Sequence, residues 1–259
     1  MHSIYRSEQR GAAEHGWLSA RHSFSFANWY EPSRMGFGVL RVINEDRVAP
    51  HSGFGTHGHR DMEILTYLLE GALWHKDSMG NGDPEALRAA GATAGAAGAA
   101  GGPQQGVIRP GEIQRMSAGS GVMHSEFNHG DEPTHLLQIW LLPQQRGGAP
   151  GYEQASVPPD SLDGRLALLA APDAERARVT IHSDVRLYAG RFDGAQSAAL
   201  DLPPGRLAYV HVARGSVQVN GTALQAGDAW QAEPAPGEAL RVELTQGQQA
   251  ELLLFDLGR

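Results

Sequence analysis

Along most of this chain hydrophobic and polar positions alternate in short runs, separated by Gly, Pro, Asn and Asp. Trp17-Leu-Ser-Ala-Arg-His22-Ser-Phe-Ser-Phe26 alternates as a half-buried strand does. Ala27-Asn-Trp-Tyr-Glu-Pro-Ser33 reads as a turn, and Phe37-Gly-Val-Leu-Arg-Val-Ile-Asn44 as the next strand. Met62-Glu-Ile-Leu-Thr-Tyr-Leu-Leu69 is an apolar run of strand length that stops at the turn signal Glu70-Gly71. Ala72-Leu-Trp-His75-Lys-Asp77 returns from it, and a second turn follows at residues 78–84. The pattern resumes at residues 107–116, where Pro110-Gly111 makes a turn. It continues in His135-Leu-Leu-Gln-Ile-Trp-Leu-Leu142, which ends at Pro143. Many short strands with turn chemistry between them predict an all-β protein of barrels or sandwiches.

Two stretches break the pattern. Residues 86–102 are almost entirely Ala and Gly, with no large side chain after Leu87. Such a segment buries too little to offset its ordering entropy, and Gly costs a helix about 1 kcal/mol per residue. It reads as a flexible loop, about 82–105, inserted into a hairpin. Residues 144–159 are rich in Gly and Pro and read as part of a linker. The expected division is an N-terminal barrel over 1–143, a linker over 144–164 and a C-terminal barrel over 165–259.

The second half repeats the first in muted form. Tyr209-Val-His-Val-Ala-Arg-Gly215 corresponds to Thr66-Tyr-Leu-Leu-Glu-Gly71, and Ala226-Gly227-Asp228 to Pro110-Gly111-Glu112.

Composition narrows the function. The 259 residues are 41% hydrophobic and 19% charged, enough for buried cores. A net charge of −8 argues against direct nucleic-acid binding, which wants a basic stripe. With no cysteine, any metal must be held by His, Asp, Glu or Asn. Neither a signal-peptide core at residues 1–10 nor a window of roughly 18 apolar residues is present, so a cytoplasmic protein without membrane spans is expected.

The candidate chemistry lies in the first half. Successive strand side chains point to opposite faces, so i and i+2 share one. His57 and His59 can therefore point together, and so can His124 and Glu126. If their strands are neighbours in a barrel, three imidazoles and a carboxylate converge. With 12 histidines in the chain a single His-x-His would mean little; two correctly spaced pairs mean more. The repeat tests the other half. Aligned on Gly71 and Gly215, His57 and His59 fall on Asp201 and Pro203. Aligned on Gly111 and Gly227, His124 falls on Leu240. No site of this kind is expected in the second barrel.

His57-Gly-His59 with Glu63 resembles the first cupin motif, and Gly121, His124 and Asn128 resemble the second. Residues 57–67, Asp77-Ser-Met-Gly-Asn81, Met116-Ser-Ala-Gly-Ser-Gly-Val-Met-His-Ser-Glu-Phe-Asn128, His22-Ser-Phe-Ser-Phe-Ala-Asn-Trp-Tyr30 and Leu253-Leu-Phe-Asp-Leu257 together resemble the pirin family. The resemblance spans nearly the whole chain apart from the Ala/Gly insert.

It implies an all-β bicupin of two β-barrels, with one mononuclear metal held by His57, His59, His124 and Glu126. Glu63, a ligand in many cupins, is left a supporting role, and Glu126 has a further role open to it as a general base. Fe(II) is the expected ion, while the donors also suit Mn, Co, Ni, Cu or Zn. The implied activity is quercetin 2,3-dioxygenase, with a flavonol and O2 as reactants. Phe24, Phe26 and Met123 are the expected pocket lining. The competing reading is a non-catalytic, redox-sensitive pirin that regulates an enzyme or transcription factor through a protein partner. A monomer is the default expectation. For His22, His51, His75, His129, His135, His182 and His211 an ordinary hydrogen-bonded or exposed role is expected.

Overall fold

The computed structural model describes residues 1–82, 106–173 and 176–259; among these there are twenty strands and no α-helix. Among the described residues no helix is long and apolar enough to cross a membrane. Nearly all of the Ala/Gly insert expected at 82–105 lies outside the described residues.

Two compact units divide the chain. One comprises Gly11–Val157 and Arg178–Ser183, here the N-terminal barrel. The other comprises Met1–Arg10, Pro158–Ala177 and Asp184–Arg259, here the C-terminal barrel. Strand β1 (His2–Tyr5) thus belongs to the C-terminal barrel, where it pairs with a late strand.

The N-terminal barrel has one large and one small sheet. The large sheet contains β2 (Gly11–Glu14), β3 (Leu18–His22), β4 (Leu40–Val48), β6 (Glu63–Glu70), β9 (Glu112–Ser117), β11 (Thr134–Leu141) and β12 (Gly151–Ser156), in the order β12-β9-β6-β11-β4-β3-β2. The small sheet contains β5 (Ser52–His59), β7 (Leu73–Asp77), β8 (Val107–Ile108) and β10 (Val122–Asn128), in the order β5-β10-β7-β8. The sequence pattern predicts a strand from 17 to 26, but β3 stops at His22. Beyond it the chain folds back through a tight turn in which Phe26 and Trp29 exchange backbone hydrogen bonds and Ala27 adopts a left-handed φ of 49°. Part of the stretch expected as linker, Gly151–Ser156, forms β12. It is held by the Arg115–Glu153 ion pair and by a hydrogen bond from Gln154 Nε2 to the Val107 carbonyl.

Register sets the character of this barrel's interior. His22, Asn44, Gln138, Thr66, Gln114 and Gln154 stand directly opposite one another across β3, β4, β11, β6, β9 and β12. They form one polar row, buried except at its half-buried Gln154 end. On either side of the row lies an apolar cluster, although on β4 the buried carboxylate of Asp46 stands opposite Leu136. One contains Ile64 and Met116 with Trp140 against them; the other contains Val48, Leu68 and Leu136 with Leu73 and Ile108.

In the C-terminal barrel β19 (Ala229–Ala232), β17 (Leu207–Val219), β20 (Leu240–Leu257), β15 (Val185–Phe192) and β13 (Ala167–Ala171) follow β1 in that order, with β16 (Ala198–Leu202) on β20 and β18 (Thr222–Gln225) on β17. Its interior holds one large apolar cluster that includes Phe192, Val210, Val212, Trp230, Leu252 and Leu254, with His211 and Asp228 also buried. The remaining strand, β14 (Val179–Thr180), lies within the N-terminal unit, where the Thr180 N–H donates to Glu153 at 2.7 Å.

Candidate metal centre

The candidate ligands stand on two adjacent antiparallel strands. β10 lies beside β5 with His124 directly opposite His57 and Val122 opposite His59. Going on to Glu126, two steps along β10 match three along β5, because a bulge puts Phe54 opposite Glu126. At Gly53 the strands press so close that a Cβ would strike the Glu126 carbonyl oxygen and Phe127. Only glycine fits there.

The His124 Nε2 atom lies 3.0 Å from His59 Nε2 and 3.0 Å from His57 Nε2. Ligand nitrogens in cis positions about 2.1 Å from an ion of octahedral type would be about 3.0 Å apart. The tautomers agree with that use. His57 Nδ1 donates to the Gly55 carbonyl at 2.7 Å, which leaves its Nε2 with a bare lone pair. Burial drives the proton affinity of His124 down to about 2, assisted by His75, His57 and His59; it drives that of His59 to about 4, assisted by His57. Neutral imidazoles with lone pairs facing one another at 3.0 Å repel unless a cation stands between them, and the donor set is that of a divalent transition metal.

Glu126 is buried and groups with His124 and His75, so the four residues expected from the sequence fall into two overlapping groups. His57, His59 and His124 form one; His75, His124 and Glu126 form the other. Burial raises the Glu126 pKa, against the opposing influence of His75, His57 and a hydrogen bond from Gln138. Gln138 Nε2 reaches both carboxylate oxygens, at 3.1 and 3.3 Å. Glu63 points elsewhere: it accepts from Ser117 Oγ at 2.9 Å and from the His182 N–H at 3.2 Å. Its role is to tie strands together.

His75 is hydrogen-bonded as expected, but it also stands beside the candidate ligands. The ring is buried, donates from Nε2 to Asp77 at 2.9 Å, and sets its Nδ1 3.5 Å from that of His124. His75 sits two residues before Asp77 on β7, beside the Asp-Ser-Met-Gly-Asn turn, and that pairing was the available sequence signal. His135 and His51 do have ordinary partners, Glu45 at 2.9 Å and Asp131 at 3.1 Å.

A cavity of about 130 Å³ opens beside the histidines, and His57, His59 and Glu126 all border it. His22, Asn44 and Gln138 of the polar row form its polar side; Leu18, Phe26, Phe54 and Trp140 form its apolar walls. The Trp140 ring meets His59 edge-on at 4.9 Å. Of the lining expected from sequence, Phe26 is present. Phe24 is buried in the core away from this cavity, and Met123 borders a separate surface groove with Gly58 and Ser78. In both cases strand alternation and the turn after His22 direct the side chain elsewhere.

The C-terminal barrel differs at each aligned position. Asp201 is exposed and paired with Arg241 at 2.7 Å, and Leu240 packs on the apolar core. Among the described residues both metal-capable groups lie in the N-terminal barrel.

Known proteins resemble this chain over nearly its whole length. The family described as Pirin matches residues 5–99 and 100–141, and the Quercetinase C-terminal cupin domain matches residues 168–257. The chain is 37% identical over 255 residues to a quercetin 2,3-dioxygenase of Escherichia coli K12, covering 98% of this chain and 97% of that one. It is 36% identical over 250 residues to a pirin-like protein of Caulobacter vibrioides, covering 96% of each. The crystal structure of the Escherichia coli bacterial pirin YhhW in complex with nickel(II) superposes with a TM-score of 0.83 at 35% identity, over 100% of this chain and 99% of that one. Two cupin barrels, the motifs at 57–67 and 116–128 and this whole-length similarity carry one conclusion: the chain belongs to the pirin family.

Proposed function

We propose that this chain is a metal-dependent dioxygenase that opens the heterocyclic ring of a flavonol such as quercetin with O2, releasing CO and leaving a depside. His57, His59, His124 and Glu126 would hold one divalent ion, iron(II) first by family resemblance. The observation that carries the reading is that the Nε2 atoms of His57 and His59 each lie 3.0 Å from that of buried His124, and that both residues border a cavity also lined by Glu126. The relative named quercetin 2,3-dioxygenase and the nickel(II) complex of a bacterial pirin support it.

When bound, the ion would supply Lewis acidity to the substrate hydroxyl and a template for the two reactants. The protein's own groups do the rest. Glu126 takes the proton of the flavonol 3-hydroxyl: burial raises its proton affinity, so it is a better base than an exposed carboxylate. Gln138 keeps that carboxylate turned toward the cavity. Phe26, Phe54 and Trp140 exclude water and pack on the aromatic substrate. The volume is close to the roughly 150 Å³ of a void that accepts benzene. One ring can enter, and the remainder of a flavonol must extend through the mouth.

The test is anaerobic reconstitution with Fe(II), followed by loss of quercetin absorbance and release of CO in air. Turnover that requires His57 and is abolished by Glu126→Gln supports the proposal. Stoichiometric metal without turnover on any flavonol contradicts it and favours a regulatory pirin.

A further inference from the structure

We infer that Asp77 and His75 form a hydrogen-bonded relay behind His124 that fixes the tautomer in which His124 meets a metal ion. The inference rests on the metal-centre reading above and adds two positioning residues to it.

The relay begins at a carboxylate with no freedom to move. Asp77 Oδ1 accepts the backbone N–H groups of Met79 and Asn81 at 2.9 and 3.1 Å. Its Oδ2 accepts Asn81 Nδ2 and His75 Nε2, both at 2.9 Å. The Asp77 and His75 side chains are 0% and 1% exposed. Burial alone would raise the Asp77 pKa, but the bonds from His75 and Asn81 outweigh it and hold the group below the usual range. The carboxylate stays ionised, an acceptor only. Facing it, His75 Nε2 must carry the proton, which leaves a lone pair on Nδ1.

That lone pair faces the Nδ1 of His124 at 3.5 Å. Two lone pairs opposed in a buried site repel, whereas a proton on His124 Nδ1 turns the contact into an attraction. His124 then carries no proton on Nε2, the atom that stands 3.0 Å from both His57 and His59. Strand register builds the alignment, for Asp77 lies opposite His124 and His75 opposite Glu126. Tyr152 packs on the His75 ring with centroids 5.1 Å apart, and its hydroxyl is bound by Gln114 at 2.9 Å and to Gln154 at 2.7 Å. The ring has no room to turn. Partners of this kind raise the basicity of a ligating imidazole, and their loss costs about 10–100-fold in metal affinity.

The test uses Ni(II) as the probe, titrated against a chromophoric chelator into the full chain, its His75→Phe variant and its Asp77→Asn variant. His75→Phe keeps an aromatic ring against Tyr152. Asp77→Asn keeps the shape of the turn but presents an amide N–H to His75 Nε2, forcing the wrong tautomer. Both variants should still take up one ion per chain, with affinity about 10–100-fold weaker. Nitrogen-15 histidine spectra of the metal-free wild type should show His75 protonated on Nε2 alone and His124 on Nδ1, with the His75 pattern reversed in Asp77→Asn. A merely structural pair would lower the unfolding midpoint and leave affinity and tautomers alone, and that result overturns the relay. So does complete loss of binding in His75→Phe, which would make His75 a ligand, or a His75 protonated on Nδ1. A wild type that binds no Ni(II) would defeat the metal-centre reading instead, and the tautomer spectra would still decide the relay.

Discussion

The two barrels share strand order and turn positions but fill their interiors in opposite ways. In the N-terminal barrel a polar row from His22 to Gln154 runs between two apolar layers, level with buried histidines and a buried carboxylate. In the C-terminal barrel the interior is closed by Phe192, Trp230 and aliphatic side chains. A barrel needs its inward side chains to fill the space or to leave a lined cavity. The first barrel gives up apolar burial to hold polar groups in fixed places. The second holds one large apolar cluster and, although it buries His211 and Asp228, none of its residues joins a metal-capable group among the described residues. The metal-capable groups among the described residues thus lie in one barrel and that large apolar cluster in the other.

The largest effect that breaks this division is in the C-terminal core. Trp230→Ala should lower unfolding free energy by about 3–5 kcal/mol, since a buried aromatic leaves a cavity, while metal stoichiometry of the folded protein is unchanged. Denaturant unfolding alongside metal analysis checks both.

The next effect is read at two histidines of the N-terminal barrel. In the metal-free protein His124 and His59 have folded pKa values depressed to about 2 and 4, below the roughly 6.5 of an unfolded histidine. As pH falls below about 6.5 the unfolded chain takes up protons that the folded one refuses, so stability falls toward pH 4. The slope approaches about 1.4 kcal/mol per pH unit for a site that titrates only when unfolded. Unfolding measured across that range should lose much of its slope in His124→Gln.

A smaller change tests the polar row. Gln138→Leu strips the donor from both oxygens of buried Glu126 and should cost about 1–3 kcal/mol. The flavonol turnover proposed above should fall with it, because the carboxylate is no longer held toward the cavity. Thermal unfolding and quercetin consumption read the two effects separately.

How much of this was legible in the sequence differs along the same line. Strand runs, the His57/His59 and His124/Glu126 pairs and the absence of ligands at Asp201, Pro203 and Leu240 are local patterns, and period-two alternation exposes them. The polar row is invisible in one dimension. Its members are scattered from position 22 to 154 and only inter-strand register sets them side by side. The bulge between β5 and β10, which gives Glu126 a different set of neighbours from His57 and His59, has the same origin. For His75 the sequence shows only its place just before the Asp77-Ser-Met-Gly-Asn81 turn; that it faces His124 is set by the register of β7 on β10.

The smallest effect lies where the second barrel carries a carboxylate in place of a ligand. Asp201→Asn removes an exposed, solvent-screened ion pair with Arg241 and should leave the unfolding midpoint nearly unchanged, with metal binding untouched. Loss of metal in that variant would blur the contrast between the barrels.

The most direct test of the central claim, one metal centre confined to the N-terminal barrel, is metal stoichiometry. Elemental analysis of the full chain loaded with Fe(II) or Ni(II) and freed of excess should give one ion per chain, and none in His57→Ala or His124→Ala that remain folded. Two ions per wild-type chain, or one retained in both variants, would contradict the account.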